Sequence, residues 1–200
     1  MQKFVQESWL ILVLGIVFAV LLAGAQTTLL PRIQVNQAKA LNEAIGEVVP
    51  GAVKTETVDL KPTYDRNVFK CFDAQGRFVG WALDMLGNGF ADKIRIVAGL
   101  APDCAQLTGL KVIENVETPG LGNKIAEAEW AGQYQGLDAG RPITVQKHPP
   151  VAGQNEVRAV TGATISSKAV TDIVNAALAR VRPELQQRRQ VPADAAGGSN

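Results

Sequence analysis

The sequence predicts an α+β protein: a single N-terminal transmembrane helix followed by one folded domain whose antiparallel or mixed sheet is flanked by helices. Three observations carry that expectation. The run from Trp9 to Leu30 contains no charge, the middle of the chain alternates short β-rich segments with turn residues, and the last apolar stripe recurs at helical spacing. With 200 residues, 46% hydrophobic and 20% charged, the chain can fill one core beside an anchor.

The anchor comes first. WLILVLGIVFAVLLAGAQTTLL is long enough to span hydrocarbon, which takes roughly 20 apolar residues in a helix. Ala23-Gly24-Ala25 resembles a signal-peptide cleavage site, but the apolar run exceeds the ~7 to 15 residues of a usual signal core. A retained single-pass anchor over residues 1–31 is therefore expected. Loop charge does not orient it, because Lys3 precedes the span while Arg32 and Lys39 follow.

The folded domain is expected over residues 32–183. Ile33, Leu41, Ala44, Ile45 and Val48 predict an amphipathic helix ended by Pro50-Gly51. Val53 to Leu60 and Val68 to Phe72 read as strands, and the turn Asp73-Ala74-Gln75-Gly76 pairs the second with Phe78 to Leu86. Gly87-Asn88-Gly89 breaks the pattern. KIRIVAGLA and LKVIENV then read as two strands around a loop holding Pro102 and Gly109. Ile125 to Tyr134 predicts a short helix and Ile143 to Lys147 a strand. Ala169, Val170, Ile173, Val174, Ala177, Leu178 and Val181 form the stripe of a final helix. Residues 184–200 lack apolar periodicity and read as a disordered tail.

Composition excludes several classes. Lys+Arg 20 against Asp+Glu 19 leaves a net charge of +1, without the basic excess of a nucleic-acid binder. Cys71 and Cys104 belong to no CxxC pair, and His148 is the only histidine, so no metal site is expected. The two cysteines read either as a disulfide or as two small buried side chains.

Two segments carry chemistry. From Arg158 the chain moves from a strand-like run through Thr161-Gly162-Ala163-Thr164 into Ile165-Ser166-Ser167 and the last helix. Helix-start amides lack intrahelical partners and the dipole favours anions, so a phosphate is stabilised there. Gly162 and Ala163 leave room for a bulky group. The plainer alternative is that Thr161 or Ser166 caps the helix. The second segment, Glu117-Thr118-Pro119-Gly120-Leu121-Gly122, is a turn presenting a leucine on which a planar cofactor can rest; such turns are otherwise mere connections.

Together these residues resemble a known family. LGNGFADKIRIVAGLAPDCAQLTGLKVIENVETPGLG, Leu86 through Gly122, and TGATISSKAV, Thr161 through Val170, are similar to the FMN-binding domain of the G subunit of Rnf-type ion-translocating electron transport complexes. That family is related to the C subunit of the sodium-translocating NADH:quinone oxidoreductase. Either short match alone is weak; their order behind one span makes them specific. The domain's length favours the Rnf member.

The resemblance implies that FMN is attached covalently through its phosphate to Thr164 by a flavin transferase, with Thr161, Gly162 and Ala163 completing the motif. It implies that the isoalloxazine lies against the other turn, making Thr118, Leu121 and Gly122 ring contacts and Glu117 the residue that positions the turn. Arg158 departs from the transferase motif, which usually carries aspartate there. The implied protein relays electrons beside other subunits of a complex coupling ferredoxin:NAD electron transfer to ion transport. It has no complete site for NAD or ferredoxin and no catalytic residue of its own. Its domain would lie on the periplasmic or external side of the cytoplasmic membrane. A membrane-anchored FMN-binding regulatory or sensory domain and a noncovalent anion-binding module are the alternatives.

Overall fold

The computed structural model describes residues 2–60, 64 and 66–190, and the chain forms two compact units, Met1–Ala40 and Leu41–Asn200. The first unit is helical. Helix α1 (Gln2–Val48) passes through Pro31 without ending, so the amphipathic segment expected from Ile33 onward is not a separate helix but the continuation of the anchor. Between Trp9 and Leu30 the large apolar side chains are exposed, and an 18-residue window has a mean hydropathy of 2.4 with none of it buried in protein. An apolar surface of that length with no protein over it suits hydrocarbon. The hydroxyls of Thr27 and Thr28 donate to Gly24 O at 3.1 and 2.9 Å, which satisfies them without water.

In the second unit, β1 (Lys54–Val58), β2 (Val68–Phe72), β3 (Phe78–Asn88), β4 (Lys93–Leu100) and β5 (Leu107–Glu114) form an antiparallel sheet in sequence order. Period-two alternation sorts their side chains onto two faces. Phe69, Cys71, Ala82 and Val97 meet Ala44, Ile45, Val48 and Val49 at the end of α1. Val68, Trp81, Leu83, Met85, Ile94, Ile96 and Leu110 meet helix α3 (Thr164–Gln190) through Val170, Val174, Ala177, Leu178 and Val181. Cys71 and Cys104 fall in different clusters and remain thiols, so no disulfide joins them. Burial pushes the Cys71 thiol up to about 11, which leaves it protonated and inert at neutral pH.

Two readings of the strands change. Gly87 and Asn88 do not break β3; they pair with Ile94 and Lys93, and the chain reverses only at Gly89 to Asp92, where Gly89 N donates to Asp92 O at 2.7 Å. Gly109 is not in a loop but inside β5, opposite Gly99. A side chain on Gly99 would run into the carbonyl of Val48, so this glycine pair is the saddle on which the end of α1 sits, fastened by Thr108 Oγ1 donating to Val48 O at 2.5 Å.

The remaining elements hold α3 in place. The short helix expected over Ile125 to Tyr134 is divided: a 3-10 turn (Gly122–Ala126), α2 (Ala128–Ala131) and a second 3-10 turn (Gly132–Tyr134), because Glu127 is extended with φ −69° and ψ 137°. Tyr134 is buried, its hydroxyl 2.7 Å from Thr171 Oγ1, and burial raises the phenol well above its usual range. Strands β6 (Thr144–Gln146) and β7 (Glu156–Arg158) pair in parallel as a separate ribbon. Asn175 on α3 accepts from Ile143 N at 2.9 Å and donates to Ile143 O at 2.8 Å.

Residues 184–190, expected as tail, are instead helical. Leu185 has no exposed surface, and Arg188 donates to Asp59 O at 2.9 Å, so tertiary contacts carry α3 past Pro183 despite the missing amide. The rest of the expected tail, residues 191–200, lies outside the described residues.

Candidate functional site

The fold brings the two chemistry-bearing segments together. Residues Thr161 and Gly162 form a turn in which Ala163 N donates to Val160 O at 3.0 Å, and α3 begins at Thr164. Gly162 has φ +81°, a conformation that calls for glycine, and Leu121 Cδ2 of the other turn lies 3.0 Å from where its Cβ would stand. Ser167 ties the turn off: its hydroxyl accepts from Val160 N at 2.9 Å and donates to Ala163 O at 3.0 Å. The strand entering the turn is held by side chains that mimic a neighbouring strand. Gln133 Oε1 accepts from Arg158 N at 2.8 Å, and Trp130 Nε1 donates to Arg158 O at 2.8 Å.

The capping alternative does not describe this terminus. Thr161 is exposed with no side-chain hydrogen bond among the described residues, and Ser166 is turned away to donate to Glu117 Oε2 at 2.7 Å. Thr164 is also exposed, and its hydroxyl has no partner among the described residues. An exposed hydroxyl thus stands at the first position of a 27-residue helix, where first-turn amides lack intrahelical acceptors and the dipole favours a phosphate.

Glu117 is the hub. It is 4% exposed, accepts from Phe90 N at 2.7 Å and Ala91 N at 3.2 Å through Oε1, and receives Ser166 through Oε2. One carboxylate therefore joins the β3–β4 reversal, the Glu117 to Gly122 turn and the start of α3. Gly122 packs directly against it: a Cβ there would lie 2.8 Å from Glu117 Oε2.

Around these groups is a cavity of about 340 Å³ lined by Phe90, Glu117, Thr118, Leu121, Gly122, Gly162, Ala163, Thr164, Ile165 and Ser166. Its volume suits a cofactor-sized ligand. Phe90, Leu121 and Ile165 are 61%, 48% and 62% exposed, an apolar rim without a protein cover. Of the residues singled out in sequence, Glu117, Thr118, Leu121, Gly122, Gly162, Ala163 and Thr164 line this cavity, whereas Thr161 lines a neighbouring one of about 410 Å³ with Trp130 and Arg158. Phe90, Ile165 and Ser166 complete the site. Phe90 escaped the sequence reading because only the hairpin register carries it there; the sole local signal is an aromatic in a glycine-flanked turn. A larger cavity of about 560 Å³ lies along α3 and shares Ile165, but it contains Arg66, Lys168 and Arg180 and none of the turn or hydroxyl motif. Size favours the larger cavity; the two turns singled out in the sequence line the smaller.

Comparison with known proteins covers the same segments. The FMN-binding domain family matches residues 89–179, which includes both motif segments and Phe90. The crystal structure of Shewanella oneidensis NqrC shares the fold, with a TM-score of 0.58, 21% identity and coverage of 70% of this chain and 73% of that one. The G subunit of the Na(+)-translocating ferredoxin:NAD(+) oxidoreductase complex of Acetobacterium woodii is 41% identical over 88 residues, 44% of this chain and 42% of its own. The G subunit of the ion-translocating oxidoreductase complex of Methanosarcina acetivorans is 33% identical over 171 residues, 83% of this chain and 88% of its own. A match of that identity and extent makes the chain a member of the G-subunit family of ion-translocating oxidoreductase complexes.

Proposed function

We propose that this chain carries FMN as a phosphate ester on Thr164 and relays electrons within an ion-translocating complex that couples ferredoxin:NAD electron transfer to ion transport. The observation that supports it most directly is the meeting of an exposed Thr164 hydroxyl, without a partner among the described residues, with the Leu121 turn around one apolar cavity. Thr164 would hold the phosphate, assisted by the first-turn amides of α3, while Leu121, Phe90 and Ile165 would bear on the ring and Glu117 and Ser166 would keep the two turns in register. FMN supplies the redox chemistry when bound; the protein supplies attachment, orientation and electrostatics. A flavin transferase would install the group, and the other subunits would supply the electron donor and acceptor, since this chain is proposed to hold no complete site for NAD or ferredoxin. Intact mass after co-expression with a transferase should show one FMN ester per chain, and an unmodified mass would overturn the attachment.

The domain is proposed to lie on the periplasmic or external side of the membrane, beyond one N-terminal span. Alkaline phosphatase fused at the C-terminus should be active and a cytoplasmic fluorescent reporter dark; the reverse pattern would place the domain inside.

Attachment and tuning should be separable. Leu121→Ala removes an apolar contact from the rim without touching Thr164, so it should retain stoichiometric covalent FMN. A buried leucine contact is worth roughly 1.5 to 3 kcal/mol, and Leu121 is half-exposed before the ring covers it. Only the part that differs between redox states shifts the potential, so the change should be on the order of tens of millivolts, at about 59 mV per 1.4 kcal/mol for one electron. An unchanged potential and visible spectrum at full occupancy would show the turn to be only structural.

A further inference from the structure

Glu117 faces three hydrogen-bond donors, an arrangement that suits a carboxylate. Its partners are the amides of Phe90 and Ala91 and the hydroxyl of Ser166, and among the described residues no cation forms an ion pair with it. Burying a carboxylate without a counter-ion is a costly placement. A glutamine would accept both amides through its carbonyl and meet Ser166 with its amide nitrogen, the serine oxygen then accepting. The shape of this side chain and its charge can therefore be separated by substitution. That charge is 4% exposed and lines the same cavity as Leu121 and Thr164.

We propose that the Glu117 carboxylate sets the potential of the flavin, holding the couple low by opposing the arrival of electrons on the ring. The inference rests on the reading of this cavity as the FMN site. Each electron that reaches the ring without a proton adds one negative charge near the carboxylate, and like charges repel more strongly in a poorly hydrated wall than in water. The oxidised ring meets no such repulsion, so the reduced form alone is raised in energy. The two amides and Ser166 disperse the carboxylate charge without cancelling it, and the dipole of α3 acts in the same sense through Ser166.

Two variants separate this role from simple clamping because they move the potential in opposite directions. Glu117→Gln keeps the shape and removes the charge, so the midpoint potential should rise. Ser166→Ala removes a donor and leaves the carboxylate charge more concentrated, so the potential should fall. A clamp that merely loosens shifts both in one direction or neither. The test is a spectroelectrochemical titration with dithionite as reductant, on the full-length chain loaded with FMN, with flavin per chain counted after denaturation. A rise for Glu117→Gln with a fall for Ser166→Ala bears the proposal out. A wild-type potential in loaded Glu117→Gln, or shifts of the same sign in both variants, overturns it. Should Glu117→Gln fail to fold or load, Ser166→Ala decides: a fall supports the charge role, and a rise or no change ends it. Loss of flavin from wild type on denaturation would instead overturn attachment at Thr164, a separate failure that leaves the sign test readable on noncovalently held FMN.

Discussion

Thr164→Val should lose all covalent flavin and keep its fold. Valine nearly reproduces the shape of threonine, has a similar helix propensity, and lacks only the hydroxyl that an ester requires. The Thr164 hydroxyl has no partner among the described residues and its side chain is exposed, so the exchange breaks no internal bond. Exposed substitutions of this kind stay within about 0.5 kcal/mol of wild type. The thermal transition should therefore match that of wild type expressed without the transferase, while flavin fluorescence of the denatured band falls from one per chain to none. Thr161→Val is the matched control. Thr161 is also exposed but lines the neighbouring cavity, so flavin should remain on the chain. Fluorescence persisting in the Thr164 variant, or lost only in the Thr161 variant, would move the attachment elsewhere.

Asp84→Asn should have the largest effect on stability. Asp84 has no exposed surface and accepts Arg95 Nε and Nη2 at 2.9 and 3.0 Å, with Arg66 Nη2 at 3.3 Å from the same carboxylate. Asparagine keeps the volume and leaves two guanidinium groups facing a neutral amide. Removing one partner of a buried pair costs about 3 to 5 kcal/mol. Arg66 is 32% exposed and can turn toward water, so Arg95, at 15%, bears most of the penalty and the lower figure applies. At roughly 2 to 4 °C per kcal/mol for a domain of this size, about 3 kcal/mol lowers the melting temperature by roughly 6 to 12 °C. The measurement is a thermal melt of the detergent-solubilised chain. A shift under about 2 °C would show that both arginines relax to solvent or to Glu114, which already receives Arg95 Nη1 at 3.2 Å.

What the sequence determined by itself is whatever local chemistry dictates. An uncharged run from Trp9 to Leu30 can only avoid water, period-two alternation through Phe69, Cys71 and Val68 can only serve two faces, and the stripe from Ala169 to Val181 can only be one side of a helix. The resemblance of the Glu117 to Gly122 and Thr161 to Thr164 segments named a cofactor in advance, and the FMN-binding family match agrees with it. The tertiary structure decided everything that depends on which distant residue a side chain meets. Glu117 reaches Phe90 across 27 positions and Ser166 across 49, and nothing in the spacing of those residues records the meeting. Local propensity stops a helix at Pro183, yet the burial of Leu185 and the bond from Arg188 to Asp59, 129 positions away, carry it on. Propensity also places Gly109 in a loop, while the close approach of Val48 favours glycine both there and at its cross-strand neighbour Gly99. In each case a contact formed only by the assembled chain outweighs the preference of the residue alone, because burial and long-range hydrogen bonds exceed the fractions of a kcal/mol by which local propensities differ.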